Sequence, residues 1–275
     1  MNIKNPMFSI VMVNYNGSRY LEDAINSILN QSCQNFELII VDGGSTDESV
    51  EIIKKYESKL AWWVSEKDQG QSDAFNKGFA RARGEFYFWV NADDLLLPNT
   101  LMYASKTIKR NSNHKWFTSN TIFIDGHSKV LNCARGLKWF DFFIKNGHIY
   151  VPGPTSIFHK SLYNEVGGFD EKLNYTMDTD LWMRFKNKGY KFKRIHSYSW
   201  CRRLHTDSKT AHSFSGEPNQ DYEKEQIFIS RKNAHYYKKV GLFKQRLLKI
   251  ISGVYVRSKI DTYSWRGKKL SEINF

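Results

Sequence analysis

The stretch FYFWVNADD, residues 86–94, decides the fold. Its first five residues are apolar without interruption, which is typical of a strand buried on both faces of a sheet. Asn91 and two adjacent carboxylates, Asp93 and Asp94, follow at once, and Pro98 keeps them in a loop ahead of the next helix. Because α/β sheets bind ligands beyond the carboxyl ends of their strands, this stretch predicts both a core strand and a binding site.

Strand and helix patterns alternate on the amino-terminal side of this stretch. A capping box from Ser45 to Glu48 predicts a helix that opens at Ser45. The alternation predicts an α/β fold with a single, mostly parallel, doubly wound sheet flanked by helices. Strands are expected at residues 8–15, 36–41, 61–64 and 86–90, and further helices at residues 21–29 and 72–82.

The pattern becomes mixed after Pro98. Asp125-Gly126 between two apolar runs indicates a β-hairpin, and the polar residues 202–216 indicate a loop. Strands are expected at residues 116–124, 130–131 and 149–158, and helices at residues 101–110, 178–188 and 222–239, with an amphipathic helix at 242–255.

The composition of the 275-residue chain fits a globular protein. Hydrophobic residues make up 41% of the chain, which is enough for a sizeable core and argues against disorder. The apolar run at residues 8–13 is too short for a signal peptide, and no run is long enough to span a bilayer. Cys33, Cys133 and Cys201 are widely separated, so we expect free thiols in a reducing cytosol.

Positive charge is concentrated near the carboxyl terminus. The chain has a formal net charge of +13, and residues 231–275 hold 12 basic against two acidic residues, a surplus of 10. Such a tail favours an anionic partner, either membrane lipid or nucleic acid, and the alternative is a solvated, solubilising tail. Apolar residues at helical spacing from Leu242 to Tyr255 fit a membrane surface better than nucleic acid. That helix can equally pack on the core with its basic residues facing water.

Carboxylates follow two of the predicted strands. Asp42 can accept the N–H of a uracil ring or a ribose hydroxyl, but Asp-Gly-Gly is also common turn chemistry. Adjacent carboxylates at Asp93 and Asp94 repel each other in a cleft, and a hard cation such as Mg²⁺ or Mn²⁺ relieves that repulsion together with substrate phosphates. The alternative is that one of these two aspartates caps the next helix.

Two later positions also carry candidate chemistry. Asp178 and Asp180 fall in the first turn of a predicted helix, where the helix dipole favours carboxylates, and a base that deprotonates a hydroxyl also needs a carboxylate at a cleft. The sequence leaves these two accounts open. His205 lies in a basic run and can ligate a metal, contact a phosphate or be structural.

These segments together resemble glycosyltransferase family 2, a large family of inverting enzymes with the GT-A fold. The resemblance covers about residues 7–212, and no family pattern is apparent after about residue 215. It implies a GT-A-like catalytic domain at residues 1–215, with a nucleotide-binding half at 1–98 and an acceptor half at 99–215, followed by a basic helical extension at 216–275. The matching segments are residues 9–16, 37–47, 68–78, 91–94, 166–182 and 203–209.

The resemblance also implies roles for individual residues. Asp178 resembles the catalytic base, and Asp93, Asp94 and His205 resemble the ligands of a divalent metal, Mn²⁺ or Mg²⁺, that holds the donor diphosphate. The first position of this acidic motif is Asn91 rather than aspartate, which lowers the charge on the metal and leaves Asn91 a hydroxyl or ribose contact. The implied donor-binding residues are Asn14, Tyr15, Asp42, Asp73, Asn91 and Asp93.

The implied function is transfer of a sugar from a nucleotide sugar, UDP being the expected nucleotide, to a hydroxyl with inversion. By resemblance and from the basic tail, the expected acceptor is a glycan or lipid-linked glycan in bacterial surface polysaccharide synthesis. The expected location is cytoplasmic, peripheral on the inner face of the membrane, with no nucleic-acid partner.

Two other functions remain as alternatives. A nucleotidyltransferase that makes sugar nucleotides also uses metal-bound carboxylates, but it usually needs a glycine-rich loop after the first strand, and residues 14–19 are poor in glycine. A non-catalytic protein that grips nucleotide or nucleic acid through its basic tail is the second. Release of free nucleoside diphosphate from a donor separates all three.

Overall fold

The computed structural model describes residues 5–136, 153–206, 208, 219–232, 250 and 253–273. The strands are β1 (Phe8–Asn14), β2 (Phe36–Asp42), β3 (Trp62–Ser65), β4 (Phe86–Asn91), β5 (Leu95–Leu96), β6 (Trp116–Ile124), β7 (Val130–Ala134), β8 (Ser156–His159) and β9 (Phe192–Arg203). The helices are α1 (Ser18–Leu29), α2 (Ser49–Lys55), α3 (Gln71–Arg81), α4 (Thr100–Arg110), α5 (Lys160–Val166), α6 (Met177–Asn187), α7 (Gln220–Lys232) and α8 (Val254–Trp265).

The nine strands form one sheet in the order β3-β2-β1-β4-β8-β6-β9-β5, with β7 paired to β6. The strands β1 to β4 are parallel to one another. β8 runs antiparallel to both β4 and β6, and β9 is parallel to β6, so β6 and β9 point the same way as the first four strands. The expected mostly parallel sheet is therefore confirmed, with β5, β7 and β8 running against it.

Helices cover both faces of the sheet because side chains of a strand alternate between faces. Phe8, Ile10 and Met12 of β1 pack with apolar residues of α1 and α4 in one buried cluster. Val11 of the same strand belongs to the other cluster, together with residues of α3 and α6. The doubly wound arrangement follows from this alternation.

Helix α6 is fixed in the second cluster by stacked indole rings. Trp182 lies between Trp89 of β4 and Trp116 of β6, with ring centroids 5.7 and 5.2 Å apart and interplanar angles of 14° and 24°. All three rings are buried. Because α6 carries Asp178 in its first turn, this stack ties a candidate catalytic residue to the central strands.

Two local predictions were wrong. The helix expected to open at Ser45 begins at Ser49, because the Ser45 hydroxyl donates to Asp42 Oδ1 at 2.5 Å instead of capping a helix. The loop expected at residues 202–216 starts later, since β9 continues through Arg203. Part of this stretch, residues 207 and 209–216, lies outside the described residues.

The carboxyl-terminal helices differ in extent from the sequence patterns. The helix expected at residues 222–239 is described as α7, which ends at Lys232, and the amphipathic stretch 242–255 lies mostly outside the described residues. Ile229 of α7 is 1% exposed and packs in the second cluster, so α7 contacts the sheet domain across the expected boundary at residue 215. No helix in the described part of the chain is long and apolar enough to cross a bilayer.

Candidate active site

The carboxyl ends of three neighbouring strands bring polar side chains together. Asn14 ends β1, Asp42 ends β2 and Asn91 ends β4, and the strand register pairs Asn14 with Asp42 and Val13 with Asn91. Asp93 and Asp94 follow in the turn after β4. The edge of the sheet predicted to bind a ligand therefore gathers these residues.

Asp42 is fully buried and its carboxylate has four hydrogen-bond donors. The Asn14 amide donates to Oδ1 at 2.7 Å, and the Ser65 hydroxyl donates to Oδ2 at 2.6 Å. Ser45 donates its hydroxyl to Oδ1 and its backbone N–H to Oδ2. Burial raises the pKa of Asp42, but these hydrogen bonds outweigh it, so the pKa lies below its ordinary value. Asp42 thus anchors the two loops that follow β1 and β2.

The loop after β1 is tied to the loop after β2 through Asn16. The Asn16 backbone N–H donates to the Ser45 hydroxyl at 2.8 Å, and its side-chain oxygen accepts the Thr46 N–H at 2.8 Å. Asn16 has a positive φ of 51°, which asparagine tolerates better than most residues. The Tyr15 ring is left 69% exposed above these loops, where an aromatic face can stack on a nucleobase.

Asp73 lies in the first turn of α3. Its carboxylate accepts the Gln69 backbone N–H at 2.9 Å and forms an ion pair with Lys77 at 3.3 Å. Gln71 stands two positions before it on the same helix, and the Gln71 amide donates to the Asn91 side chain at 3.3 Å. Asp73 therefore supports the loop that borders the Asn91 end of the site, and a sugar contact stays a prediction.

Asp93 and His205 meet although 112 positions separate them. His205 Nε2 lies 3.1 Å from Asp93 Oδ2. The short strand β5 pairs antiparallel with β9, matching Leu95 with Cys201, and this pairing carries the end of β9 to the turn after β4. His205 Nδ1 is buried and has no hydrogen-bond partner among the described residues.

Asp94 points inward and is 2% exposed. Its carboxylate accepts the Arg203 backbone N–H at 2.9 Å and the Asn91 amide at 2.9 Å. Burial and the neighbouring charge of Asp93 raise the pKa of this carboxyl well above its ordinary range. In this geometry Asp93 faces His205, whereas Asp94 holds the turn to β9.

Arg203 is a buried anchor that sequence reasoning did not single out. Its guanidinium, in a residue only 2% exposed, donates to the carbonyl of Asp93 at 2.9 Å and to the Ser128 hydroxyl at 3.1 Å. It also lies 4.4 Å over the ring of Tyr20, a cation–π contact. The Arg-Arg-Leu-His run contained the signal, but a basic run is ordinarily solvated, and no local pattern shows that one arginine is buried.

Asp178 is half-buried at the start of α6. The Thr179 backbone N–H donates to it at 2.6 Å, and a side chain at Gly153 would approach Asp178 Oδ2 to 3.1 Å and Trp89 to 2.5 Å. Burial raises the pKa of Asp178, and the hydrogen bonds from Thr179 and the charge of Arg202 oppose that rise. The charge of Arg202 also opposes the rise in the pKa of Asp94.

Asp180 has a structural environment instead. It is fully buried, and its carboxylate pairs with Arg184 at 2.7 Å and with Lys232 of α7 at 2.7 Å. These ion pairs occupy both carboxylate oxygens. Asp180 is therefore held in a structural role, and a catalytic role for Asp178 stays a prediction.

Glu225 of α7 caps the segment that leads into α6. Its carboxylate accepts three successive backbone N–H groups, from Asn174 at 2.8 Å and from Tyr175 and Thr176 at 2.9 Å, and also the Thr176 hydroxyl at 3.0 Å. A helix start leaves such N–H groups without partners inside the helix. Glu225 thus sets the position of Asp178, two residues beyond Thr176, and no motif in the sequence pointed to it.

The donor set at Asp93 and His205 fits a divalent cation that is shared with a substrate. Within the described residues, no group of three or more His, Cys, Asp or Glu is arranged to hold a metal ion by itself. Mg²⁺ and similar ions in phosphate-transfer sites use one or two carboxylates plus substrate phosphates and water, so one carboxylate and one imidazole suffice. Nε2 of His205 is the ring nitrogen that faces Asp93, so it is the atom that would contact a shared cation or a phosphate oxygen.

A cavity of about 670 Å³ lies at the opposite edge of the sheet. Its lining includes Met7 and Phe86, which lie at the amino ends of β1 and β4, and the exposed side chains of Lys109 and Lys160. None of the predicted site residues lines it. This cavity is therefore separate from the carboxylates at the other end of the strands.

Solved structures with the same architecture define the class of fold as GT-A. The mannosyltransferase PcManGT from Pyrobaculum calidifontis, in complex with GDP-Man and Mn²⁺, aligns with a TM-score of 0.63 and 16% identity, covering 92% of this chain and 71% of that one. S. aureus TarS 1-349 in complex with UDP-GlcNAc aligns with a TM-score of 0.57 and 21% identity over 74% and 60% of the two chains.

Sequence comparison then identifies the family. The family model for glycosyl transferase family 2 matches residues 9–166, and the chain belongs to this family. An uncharacterized glycosyltransferase of Rickettsia prowazekii is 30% identical over 195 residues, which cover 67% of this chain and 60% of the relative. Another, of Methanocaldococcus jannaschii, is 32% identical over 203 residues, 70% and 69% of the two chains. The chain thus spans about 60% of the length of the Rickettsia relative.

Proposed function

We propose that this chain is a metal-dependent, inverting glycosyltransferase that moves a sugar from a nucleoside diphosphate sugar to an acceptor hydroxyl. The observation that carries the proposal is the 3.1 Å contact between Asp93 and His205 at the carboxyl edge of the sheet. It places a carboxylate and an imidazole beside the Asp42 loops on one side. On the other side, the stacking of Trp182 on Trp89 ties α6, which carries the candidate base Asp178, to β4, the strand that leads into Asp93.

The nucleoside is proposed to bind over the loops that follow β1 and β2. Tyr15 offers an exposed ring for stacking, and Asn14 and Asp42 keep these loops in register. The bound ligands of the two structural neighbours, UDP-GlcNAc and GDP-Man, support a nucleoside diphosphate sugar as the donor class. We propose UDP as the nucleotide.

Asp93 and His205 are proposed to hold the cation and the donor diphosphate. When bound, Mn²⁺ or Mg²⁺ supplies positive charge that stabilises the leaving diphosphate. Asp93 contributes the anionic ligand, and His205 contacts the cation or a phosphate oxygen. Two hydrogen bonds keep Asp93 and His205 in place by joining the turn after β4 to the end of β9. The Arg203 backbone N–H donates to Asp94, and the Arg203 guanidinium donates to the carbonyl of Asp93.

Asp178 is proposed to accept the proton of the acceptor hydroxyl. Its pKa is raised by burial, which moves a carboxylate closer to the range useful for general-base catalysis. The deprotonated oxygen attacks the anomeric carbon from the face opposite the leaving diphosphate, so the configuration inverts. Direct displacement needs no covalent nucleophile from the protein.

Glu225→Gln tests the positioning of this base. The amide nitrogen of glutamine cannot accept the N–H groups that Glu225 now accepts, so the free energy of unfolding should fall by about 1–3 kcal/mol. Turnover should fall more than donor affinity, because α6 and Asp178 shift while the donor loops do not. Thermal unfolding and steady-state kinetics measure both effects. Glu223→Gln, exposed on the same helix, is the matched control, and equal behaviour of the two variants would exclude the positioning role.

The acceptor is proposed to be a glycan or lipid-linked glycan in bacterial surface polysaccharide synthesis, with the enzyme peripheral on the cytoplasmic face of the membrane. The surplus of 10 positive charges in residues 231–275 supports an anionic surface as a partner. Apolar residues at helical spacing from Leu242 to Tyr255 fit a membrane surface better than nucleic acid, so lipid is the proposed partner.

The proposed function is tested by screening nucleotide sugars against thermal unfolding. A donor at 100 times its Kd should stabilise the folded protein by about 2.7 kcal/mol, and raise its melting temperature, because it binds the native state alone. The stabilising donor should then release free nucleoside diphosphate when an acceptor is added. Release of pyrophosphate from a nucleoside triphosphate and a sugar phosphate would instead indicate a nucleotidyltransferase, and binding without any release would indicate a non-catalytic protein.

A further inference from the structure

Helix α8 docks on the sheet through its polar side. The guanidinium of Arg135, the residue directly after β7, forms a bidentate ion pair with Asp261 at 2.6 and 3.0 Å. The Ser258 hydroxyl accepts the Arg135 backbone N–H at 3.0 Å, and the Thr262 hydroxyl accepts the Cys133 N–H at 3.0 Å. Trp265 at the end of α8 adds an edge-to-face contact with Tyr198 at 5.2 Å, so the docked side combines these polar contacts with one aromatic ring.

The opposite side of α8 exposes large apolar side chains. At about 100° per residue, the four residues named below fall within an arc of about 140°. Lys259 lies inside the same arc, and no residue of α8 is buried. We call this surface the outer face of α8; its residues are Tyr255, Val256, Ile260 and Tyr263, with exposed fractions of 46%, 49%, 59% and 92%.

Single exposed apolar residues are common on protein surfaces, but a contiguous stripe marks an interaction site. Two features of the outer face favour a lipid surface over a protein partner. Tyrosine is suited to the boundary between water and lipid because its ring is apolar and its hydroxyl is polar. Val256 and Ile260 add aliphatic area next to the two tyrosines, as in interfacial helices.

The charge around the outer face complements an anionic membrane. Exposed basic residues lie on the helix and directly after it, and Asp261, the one acidic residue of α8, is neutralised by Arg135. Each basic residue near an anionic leaflet contributes to attraction, so several can act together with the apolar stripe. The exposed basic residues are Arg257, Lys259, Arg266, Lys268 and Lys269.

We propose that the outer face of α8 is the surface by which this protein binds an anionic lipid bilayer. This rests on the proposed function, because a lipid-linked acceptor requires the enzyme at a membrane. The ion pair of Asp261 and the hydrogen bonds of Ser258 and Thr262 hold α8 against β7. β7 neighbours β6, and β6 neighbours β9, the strand that leads to His205. A membrane bound at α8 therefore has a fixed orientation relative to the candidate active site.

The test compares full-length protein with the double variant Ile260→Ser, Tyr263→Ser in flotation with vesicles. Wild-type protein should float with vesicles of equal parts phosphatidylglycerol and phosphatidylcholine at low salt, and it should detach as salt rises. The double variant should partition about 10-fold or more weakly, because two of the largest exposed apolar side chains no longer enter the interface. Its melting temperature should match that of wild type, since both side chains face solvent.

Ile227→Ser with Phe228→Ser is the matched control, because these apolar residues of α7 are also half-exposed, at 50% and 48%, but lie outside the outer face. This control should float like wild type. The proposal is overturned if wild type ignores anionic vesicles, if the α8 variant floats like wild type, or if the control is equally impaired. It is also overturned if light scattering finds a wild-type dimer that the α8 variant disrupts without any vesicle binding.

Catalysis is measured separately in the same proteins. Release of nucleoside diphosphate with a water-soluble acceptor should be equal in wild type and the α8 variant, because no outer-face residue belongs to the candidate active site. Vesicle binding without any release by wild type would contradict the proposed function and leave the membrane surface standing. Release of nucleoside diphosphate without vesicle binding would support the proposed function and overturn the membrane surface.

Discussion

Asp178→Asn is expected to cut turnover by about 10²-fold or more while leaving the fold and the donor affinity intact. Asparagine keeps the size of the side chain and can still accept the Thr179 N–H, but it cannot take up a proton from an acceptor hydroxyl. Steady-state rates at saturating donor, together with donor binding by calorimetry, separate the two effects. Turnover near that of wild type would leave Asp178 as a helix cap.

The pH profile adds an independent readout for the same residue. Because the pKa of Asp178 is raised above 3.8, the base becomes protonated, and turnover falls, as pH drops through that raised value. The residual activity of Asp178→Asn should lack this acidic limb. A limb that persists in the variant would assign the ionisation to another group.

Asp180→Asn serves as the contrasting control. Its carboxylate is fully buried between Arg184 and Lys232, so removing the charge should lower the free energy of unfolding by roughly 2–4 kcal/mol, because both cations keep partial access to solvent. Residual folded protein should retain much of its turnover. We therefore expect Asp178→Asn to affect turnover and Asp180→Asn to affect stability. The sequence did not distinguish these two roles, because both residues lie in the first turn of the same helix.

Much of the fold was predictable because its signals are local. The strand β4 is buried on both faces, so its apolar run is uninterrupted. The helix α3 is buried on one face, so its apolar residues recur at helical spacing. Both patterns are visible in the sequence. β9 was missed because its first half, from Phe192, alternates with lysine, arginine and histidine and is only partly buried. Its strand form comes from pairing with β6, a contact that no local pattern encodes.

The candidate site was predictable to the extent that its residues follow strands. Asp42 and Asp93 could be placed at a sheet edge because parallel strands end together. The support of Asp178 by Glu225 and the burial of Arg203 depend on contacts between residues 49 or more positions apart. Neither helix propensity nor charge pattern indicates such contacts. At Ser45 a local motif gave a wrong prediction. The capping box predicted a helix start there, but the Ser45 hydroxyl donates to Asp42 instead.

Removal of divalent cations is expected to abolish sugar transfer, and Mn²⁺ or Mg²⁺ should restore it. The reason is the donor set: Asp93 is the carboxylate that faces His205, and neither side chain alone balances the charge that develops on a leaving diphosphate. Several kcal/mol of lost stabilisation correspond to at least about 10²-fold in rate, since each 1.36 kcal/mol is tenfold. Full activity in excess EDTA would exclude the metal role.

Substitution of the two adjacent aspartates sharpens this prediction, because their geometries differ. Asp93→Asn should raise the Mn²⁺ concentration needed for half-maximal activity and weaken donor binding, with little change in melting temperature, since its side chain is 31% exposed. Asp94→Asn should act mainly on stability, because this carboxylate is buried and accepts the Arg203 backbone N–H and the Asn91 amide. Metal titrations of activity and thermal unfolding of both variants measure the contrast. If Asp94→Asn shifts the metal requirement as far as Asp93→Asn does, then Asp94 turns outward to ligate the cation when the donor binds.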